Sequence, residues 1–297
     1  MSSFPRTLDV ATRALATVVL LALGTACSST SDSAPLEPTP PPTVFGGDRP
    51  VTLQVPGDYD ARSASPLVIS LHGYQSSGLV EELYLRLGPV ALGRGYLFLT
   101  PDGTFDATNA RYWNDWPGDH GGSTVDDVGY LTTLLADVRA SYNVDPRRIY
   151  LTGHSNGGAM TYRMACEITD TLAAVAVLAG DMPVDVGALC EPKAPLHVLH
   201  VHGDKDAAVT YETNAKNLGA EDCVAYWAKH DGCTGEATAP PLDLTKDEPG
   251  AETLVTRATG CTGGSVELWT LVGAGHVPTF NATYAETLFD FFDAHPQ

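Results

Sequence analysis

Arg148-Ile149-Tyr150-Leu151-Thr152-Gly153-His154-Ser155-Asn156-Gly157-Gly158 holds the strongest structural signal in the chain. Residues 148–152 form a short, apolar, β-rich run, the pattern of a buried strand, and residues 158–168 carry helical spacing. Between them, Gly153-His154-Ser155-Asn156-Gly157 fits G-x-S-x-G, a strand–turn–helix arrangement that raises a serine hydroxyl on a tight turn. Such a turn demands small residues two before and two after the serine, and Gly153, Gly157 and Gly158 meet that demand. The following helix directs its N-terminal dipole and free N–H groups at the serine oxygen. The five letters alone occur by chance in many chains. The flanking strand and helix make Ser155 a candidate nucleophile rather than a helix N-cap in a glycine-rich turn.

The same alternation extends in both directions. Residues 66–71, 96–100, 172–178, 196–201 and 266–271 read as buried strands, and residues 79–94, 125–142 and 282–295 as helices. Short apolar strands separated by helices predict an α/β fold, a mostly parallel doubly wound sheet with helices on both faces. Functional groups in such sheets collect at the C-terminal ends of strands.

Partners of a serine in this setting follow it in the order acid, then histidine. Nine histidines compete. His72 and His120 precede Ser155, and His154 is expected to point away across the turn. His197, His200 and His202 belong to one strand, with His197 on the opposite face, so they do not converge on a metal. His230 ends a helix and His295 lies in the tail. His276, in the glycine-rich loop 272–278 after a strand, remains as general base. Asp206, beyond the turn at Gly203, can reach back to an imidazole. Asp204 is expected to close that turn with its own backbone, and is the alternative acid. Asn156 and Tyr74 supply the backbone N–H groups of an oxyanion hole, with Gly73 allowing close approach and the His72 ring bracing the loop. Tyr112-Trp113-Asn114-Asp115-Trp116-Pro117-Gly118 is an aromatic loop. Trp113 and Trp116 either form a flat platform for sugar or phenolic rings or pack beneath the loop, and His154 lies beside the pocket. This set requires no metal and no organic cofactor.

The chain has 297 residues and 43% hydrophobic content, enough for one large α/β domain, placed at residues 44–297. Its 17 Lys and Arg against 36 Asp and Glu give a net charge of -19. Such a surface repels nucleic acid and anionic headgroups, and it also keeps an exported protein soluble. Arg6 and Arg13 precede an apolar run at residues 14–23 and the small residues Gly24-Thr25-Ala26, so residues 1–26 read as a secretory signal. The run is shorter than the roughly 20 apolar residues of a membrane span. Cys27, followed by Ser28-Ser29-Thr30-Ser31, fits a lipidation site, the alternative being plain cleavage near Ala26. Residues 27–43 are a Ser/Pro/Thr-rich tether. The expected location is therefore extracytoplasmic, secreted or lipid-anchored at a bacterial cell envelope. The expected state is a monomer that touches membrane only through the anchor.

Five further cysteines, in an oxidising compartment, imply two disulfides and one free thiol. Spacing alone does not fix the pairing. Cys166 with Cys190 and Cys233 with Cys261 are favoured, leaving Cys223 as a small buried residue within a helix. Each bridge contributes on the order of 3–4 kcal/mol, and the second is expected to brace the segment that delivers His276.

Residues 67–78, 113–128, 144–166, 200–211 and 233–278 resemble the secreted poly(3-hydroxybutyrate) depolymerase and feruloyl esterase-like α/β-hydrolases, a branch related to carbohydrate esterases. The resemblance covers roughly residues 45–296. It implies the α/β-hydrolase fold and a serine carboxylic-ester hydrolase, with serine, acid and histidine at Ser155, Asp206 and His276. It also supports the Cys233–Cys261 pairing. This sequence departs from the pattern at His154, where Leu or Thr is common, and at Val277, where Thr or Ser often follows the histidine. The implied substrates are feruloyl or acetyl esters on polysaccharide, or hydroxyalkanoate polyesters. No separate polymer-binding module is visible, which favours small or soluble esters. A peptidase of the same fold and a non-catalytic binding lipoprotein are the competing classes, and the intact serine, acid and base argue against the latter.

Overall fold

Residues 40–297 are described by the computed structural model. The signal segment, Cys27 and residues 27–39 of the tether lie outside the described residues. Eight strands form the main sheet. In chain order they are β1 (Ser65–Leu71), β2 (Leu97–Leu99), β3 (Val144–His154), β4 (Ala174–Leu178), β5 (His197–Gly203), β6 (Gly235–Leu242), β7 (Thr253–Thr259) and β8 (Ser265–Leu271). Their order across the sheet is β6-β7-β8-β5-β4-β3-β1-β2. Strands β2, β1, β3, β4, β5 and β8 are parallel neighbours, and β7 and β6 add antiparallel pairings at one edge.

The parallel strands are apolar on both faces because helices cover both. In β1, Leu67, Ile69 and Leu71 enter one core and Val68 the other. The first core is closed by α3 (Asp127–Ser141), α4 (Asn156–Glu167) and α5 (Ala220–His230), through residues such as Leu131, Met160 and Trp227. The second is closed by α1 (Gly78–Leu85), α2 (Leu87–Gly93) and α6 (Thr283–Ala294), through Leu85, Ala91 and Phe289. Strands buried on both faces in this way read as continuous apolar runs.

Two features depart from the sequence expectation. The helix expected over residues 79–94 is broken at Arg86, which adopts φ 54° between α1 and α2. Pro89 lies in the first turn of α2, where its missing N–H is harmless; within one continuous helix it would break a bond to Leu85. The β6–β7 hairpin was not anticipated. Strand β6 is exposed along most of its length and contains Pro240 and Pro241 at a register shift between Ala239 and Leu242. Proline on an edge strand hides the usual strand signature.

Two disulfides, Cys166–Cys190 and Cys233–Cys261, are present, and Cys223 is free and buried. The bridges fit an oxidising, extracytoplasmic compartment. The Cys233–Cys261 bridge closes the base of the β6–β7 hairpin, beside the start of β8. His276 follows the other end of β8, so the expected bracing of its loop is corrected to bracing of the hairpin.

Glu81 on α1 is 2% exposed and its Oε1 has no hydrogen-bond partner. Burial, with the neighbouring Glu82 charge adding to it, pushes this carboxyl up to about 8 from an ordinary value of 4.5. The folded state therefore keeps Glu81 protonated while the unfolded chain ionises. Native stability from this group is complete below pH 4.5 and is lost as pH rises towards about 8. Glu81→Gln is expected to raise Tm over the parent at pH 8 and to leave it unchanged at pH 4. Thermal melts of both proteins at the two pH values check this; an equal offset at both would rule out ionisation as the cause.

Candidate active site

The turn between β3 and α4 places Ser155 at φ 58°, ψ -123°. Its N–H donates to the Leu178 carbonyl at 2.8 Å, pinning the turn to the end of β4. A Cβ on Gly153 would lie 2.3 Å from the Gly157 carbonyl oxygen, and one on Gly157 would lie 2.3 Å from that of Leu71. Glycine at both positions is thus a steric requirement. The Ser155 hydroxyl makes no capping bond to α4. Its Oγ lies 2.8 Å from Nε2 of His276.

His276 leaves the sheet after β8, and its Nδ1 is 2.7 Å from Oδ2 of Asp206, which follows β5. A carboxylate only accepts, so Nδ1 carries the proton and Nε2 is bare, able to accept from the serine hydroxyl. The Asp206 side chain is fully buried. Burial alone would raise its pKa. The close approach of His202 and hydrogen bonds from His276 and the Ala208 N–H outweigh it and hold the carboxyl well below the ordinary range. Oδ1 accepts from the N–H groups of Ala208 and Val209 at 2.8 and 3.0 Å. Asp204 does something other than close its own turn. Its Oδ1 accepts from the Gly273 N–H at 2.7 Å, fastening the loop that carries His276.

The Tyr74 and Asn156 N–H groups have no acceptor among the described residues. A Cβ on Gly73 would lie 3.3 Å from that of Ser155, so this loop runs directly against the serine. His72 fixes it from below. Nδ1 donates to the Gly73 carbonyl at 2.8 Å, and Nε2 accepts from the Gly103 N–H at 2.9 Å. Burial lowers the His72 pKa, keeping the ring neutral.

Trp113, Trp116 and His154, expected beside the substrate, are all buried. Trp113 and Trp116 are 0% and 3% exposed, so the aromatic platform does not exist and both rings pack beneath the loop. Trp113 Nε1 donates to the His72 carbonyl at 3.0 Å. The Asn156 side chain accepts from the Trp113 N–H at 2.7 Å and donates to the Trp113 carbonyl at 2.8 Å and to Asp115 at 2.9 Å. His154 is buried and faces the His276 loop instead of pointing away. Its Nε2 donates to the His276 carbonyl at 2.8 Å, and its ring packs on Tyr84 and His276. Burial pushes its pKa down to about 4, so it supports the loop without adding a charge beside it.

Sequence reasoning missed two arrangements. His120 Nε2 lies 3.0 Å from Asp115 and 3.2 Å from the Asn156 amide, and bonding to Asp115 raises its pKa. His202 lies behind Asp206, with Nε2 3.2 Å from Oδ2. Its spacing two residues from His200 on one strand face was the available signal. The open apolar surface beside His276 is a groove of about 660 Å³ whose lining includes Leu83, Tyr84, Val277, Pro278 and Phe280.

A family model described as "Prolyl oligopeptidase family" matches residues 85–186. Feruloyl esterase B of Piromyces equi is 29% identical over 240 residues, covering 77% of this chain and 42% of that protein. A bifunctional acetylxylan esterase/xylanase of Neocallimastix patriciarum is 25% identical over 234 residues, covering 79% of this chain and 32% of that protein. The chain thus spans less than half the length of these two relatives. An acetyl xylan esterase from Aspergillus awamori shares the fold, with a TM-score of 0.60 at 14% identity over 82% of this chain and 93% of that one. In fold the chain is an α/β-hydrolase, and in sequence it is similar to feruloyl and acetylxylan esterases.

Proposed function

We propose that the chain is an exported serine carboxylic-ester hydrolase with Ser155 as nucleophile, His276 as general base and Asp206 as orienting acid. The observation that carries this reading is the hydrogen-bonded run from Ser155 Oγ through His276 to Asp206. His276 Nε2 takes the hydroxyl proton as Oγ bonds to the ester carbonyl carbon. The oxyanion faces the N–H groups of Tyr74 and Asn156, each donor contributing about 2.7–4 kcal/mol to the transition state. The imidazolium then protonates the leaving alcohol, and the acyl group stays on Ser155. Water, deprotonated by His276, attacks that ester, releases the acid and restores the serine. Asp206 remains ionised throughout and stabilises the imidazolium.

The substrates of this reading are feruloyl or acetyl esters on polysaccharide, in keeping with the names of the relatives. Hydroxyalkanoate polyester is the second substrate class. The protein acts outside the cytoplasm as a monomer, with Cys27 as lipid anchor at the end of the tether. The prolyl oligopeptidase match includes Ser155 but ends before Asp206 and His276, so it supports the shared turn more than amide cleavage.

A fluorophosphonate is expected to label one residue, Ser155, and Ser155→Ala to abolish both labelling and p-nitrophenyl ester hydrolysis. Peptide mapping that finds the label elsewhere would overturn the nucleophile. Asp206→Asn is expected to lower kcat by roughly 10³- to 10⁴-fold, with Asp204→Asn much milder. The reverse ranking in steady-state kinetics would exchange their roles. On methyl ferulate, acetylated xylan, polyhydroxybutyrate and a prolyl peptide amide, kcat/KM is expected to be highest on methyl ferulate; highest turnover of the amide would favour the peptidase.

A further inference from the structure

His200 and His202 are 0% and 1% exposed, and neither takes part in the steps above. Their spacing places both rings on one face of β5. The rings stack with centroids 5.1 Å apart, and His200 Nε2 lies 2.9 Å from His202 Nδ1. At one end, the Tyr162 hydroxyl on α4 lies 2.6 Å from His200 Nδ1. At the other, His202 Nε2 lies 2.9 Å from the Val209 carbonyl and 3.2 Å from Asp206 Oδ2.

Both ends fix the direction of this chain. The Val209 carbonyl only accepts, so His202 Nε2 carries a proton. Tyr162 is fully buried, and His200 Nδ1 is the one partner of its hydroxyl among the described residues. The phenol therefore donates. His200 Nδ1 is then bare and Nε2 carries the proton, which is donated to a bare His202 Nδ1. One proton on each ring satisfies every nitrogen. Burial, which holds the His200 pKa well below its ordinary value, favours this neutral arrangement.

We propose that Tyr162, His200 and His202 form a one-way hydrogen-bond relay that positions Asp206, linking the helix behind the nucleophile to the acid. This inference rests on the serine hydrolase reading. Asp206 Oδ2 accepts from His276 and Oδ1 from the Ala208 and Val209 N–H groups, while the His202 N–H, 3.2 Å from Oδ2, is directed at the Val209 carbonyl and so holds the loop that supplies the Oδ1 donors. A cation in place of His202 would compete with the His276 imidazolium for the same oxygen. A neutral His202 restrains Asp206 through the Val209 backbone without that competing charge. His202 is thus a positioning residue, and Tyr162 and His200 set its tautomer.

The test compares His202→Leu with His202→Gln, whose amide N–H can occupy the place of the imidazole Nε2. His202→Leu is expected to lower kcat on p-nitrophenyl acetate by about 10- to 100-fold with KM changed less than about twofold. His202→Gln is expected to recover most of the loss. The low-field proton NMR signal of the His276–Asp206 hydrogen bond should shift or vanish in the Leu variant and persist in the Gln variant. Parental kcat and an unchanged signal in His202→Leu would overturn the relay, as would equal losses in both variants. Should His202→Leu fail to fold, Tyr162→Phe removes only the hydroxyl that sets the direction; an unmoved NMR signal and parental kcat there would also overturn it. Failure of the hydrolase reading is separately visible as a parent protein that neither labels with fluorophosphonate nor turns over any ester. The NMR signal reads the relay independently of turnover.

Discussion

The turn at Ser155 has no room for a Cβ on the residues two before and two after the serine, and the rest of the site is arranged around that limit. Gly157 sits against the carbonyls of Leu71 and His72, which brings the end of β1, with Gly73 and Tyr74, against the start of α4. The Ser155 N–H reaches across to β4. Beyond β4, strands β5 and β8 run in register, with His202 opposite Thr270 and Gly203 opposite Leu271. Their following loops leave the sheet side by side, so Asp206 and His276 meet above the serine. A serine at positive φ costs of order 1–3 kcal/mol, and a strand buried on both faces, as β3 is, can hold it there.

Charge is used sparingly at this site although the chain as a whole carries -19. His72 and His154 brace the loops of the site and His200 lies behind His202, and burial lowers the pKa of all three. They act as neutral, directional donors and acceptors. The fixed charge in contact with His276 is the Asp206 carboxylate. Under the proposed mechanism, a second cation nearby would raise the cost of forming the His276 imidazolium. Neutral supports remove that cost and still fix the loops.

The mostly parallel sheet and the meeting of Ser155, Asp206 and His276 were legible in the sequence because each follows from local rules and chain order. Glycine spacing marks the turn, apolar runs mark buried strands, and chain order selects one acid and one histidine. What was not legible depends on partners distant in the chain. Nothing near residues 113–116 says that both tryptophans turn inward, because the partners of this loop, Asn156 and His72 at Trp113 and Arg163 over Trp116, lie elsewhere in the chain. The sequence around Asp204 signals only a turn, because the Gly273 N–H that it holds lies on another loop. The break at Arg86 was hidden by apolar spacing that continues through it, and the β6–β7 hairpin by exposure and two prolines.

Asn156 ties the chemistry of the site to the packing of the aromatic loop. Its N–H faces the serine, while its side chain closes a two-way bond with the Trp113 backbone and reaches Asp115. Deleting that side chain would leave the Trp113 N–H and carbonyl and one Asp115 oxygen short of partners in a buried setting. Each unmet group costs about 1–3 kcal/mol. The loop cannot swing out to offer its tryptophans to a substrate without breaking the same bonds, and with them the start of α4. The open apolar surface nearest the His276 loop is instead the groove lined by Leu83, Tyr84 and Val277. His154 holds the backbone of that loop at the His276 carbonyl. His154, where this sequence departs from the common Leu or Thr, thus joins the His276 backbone to Tyr84, whose side chain lines that groove.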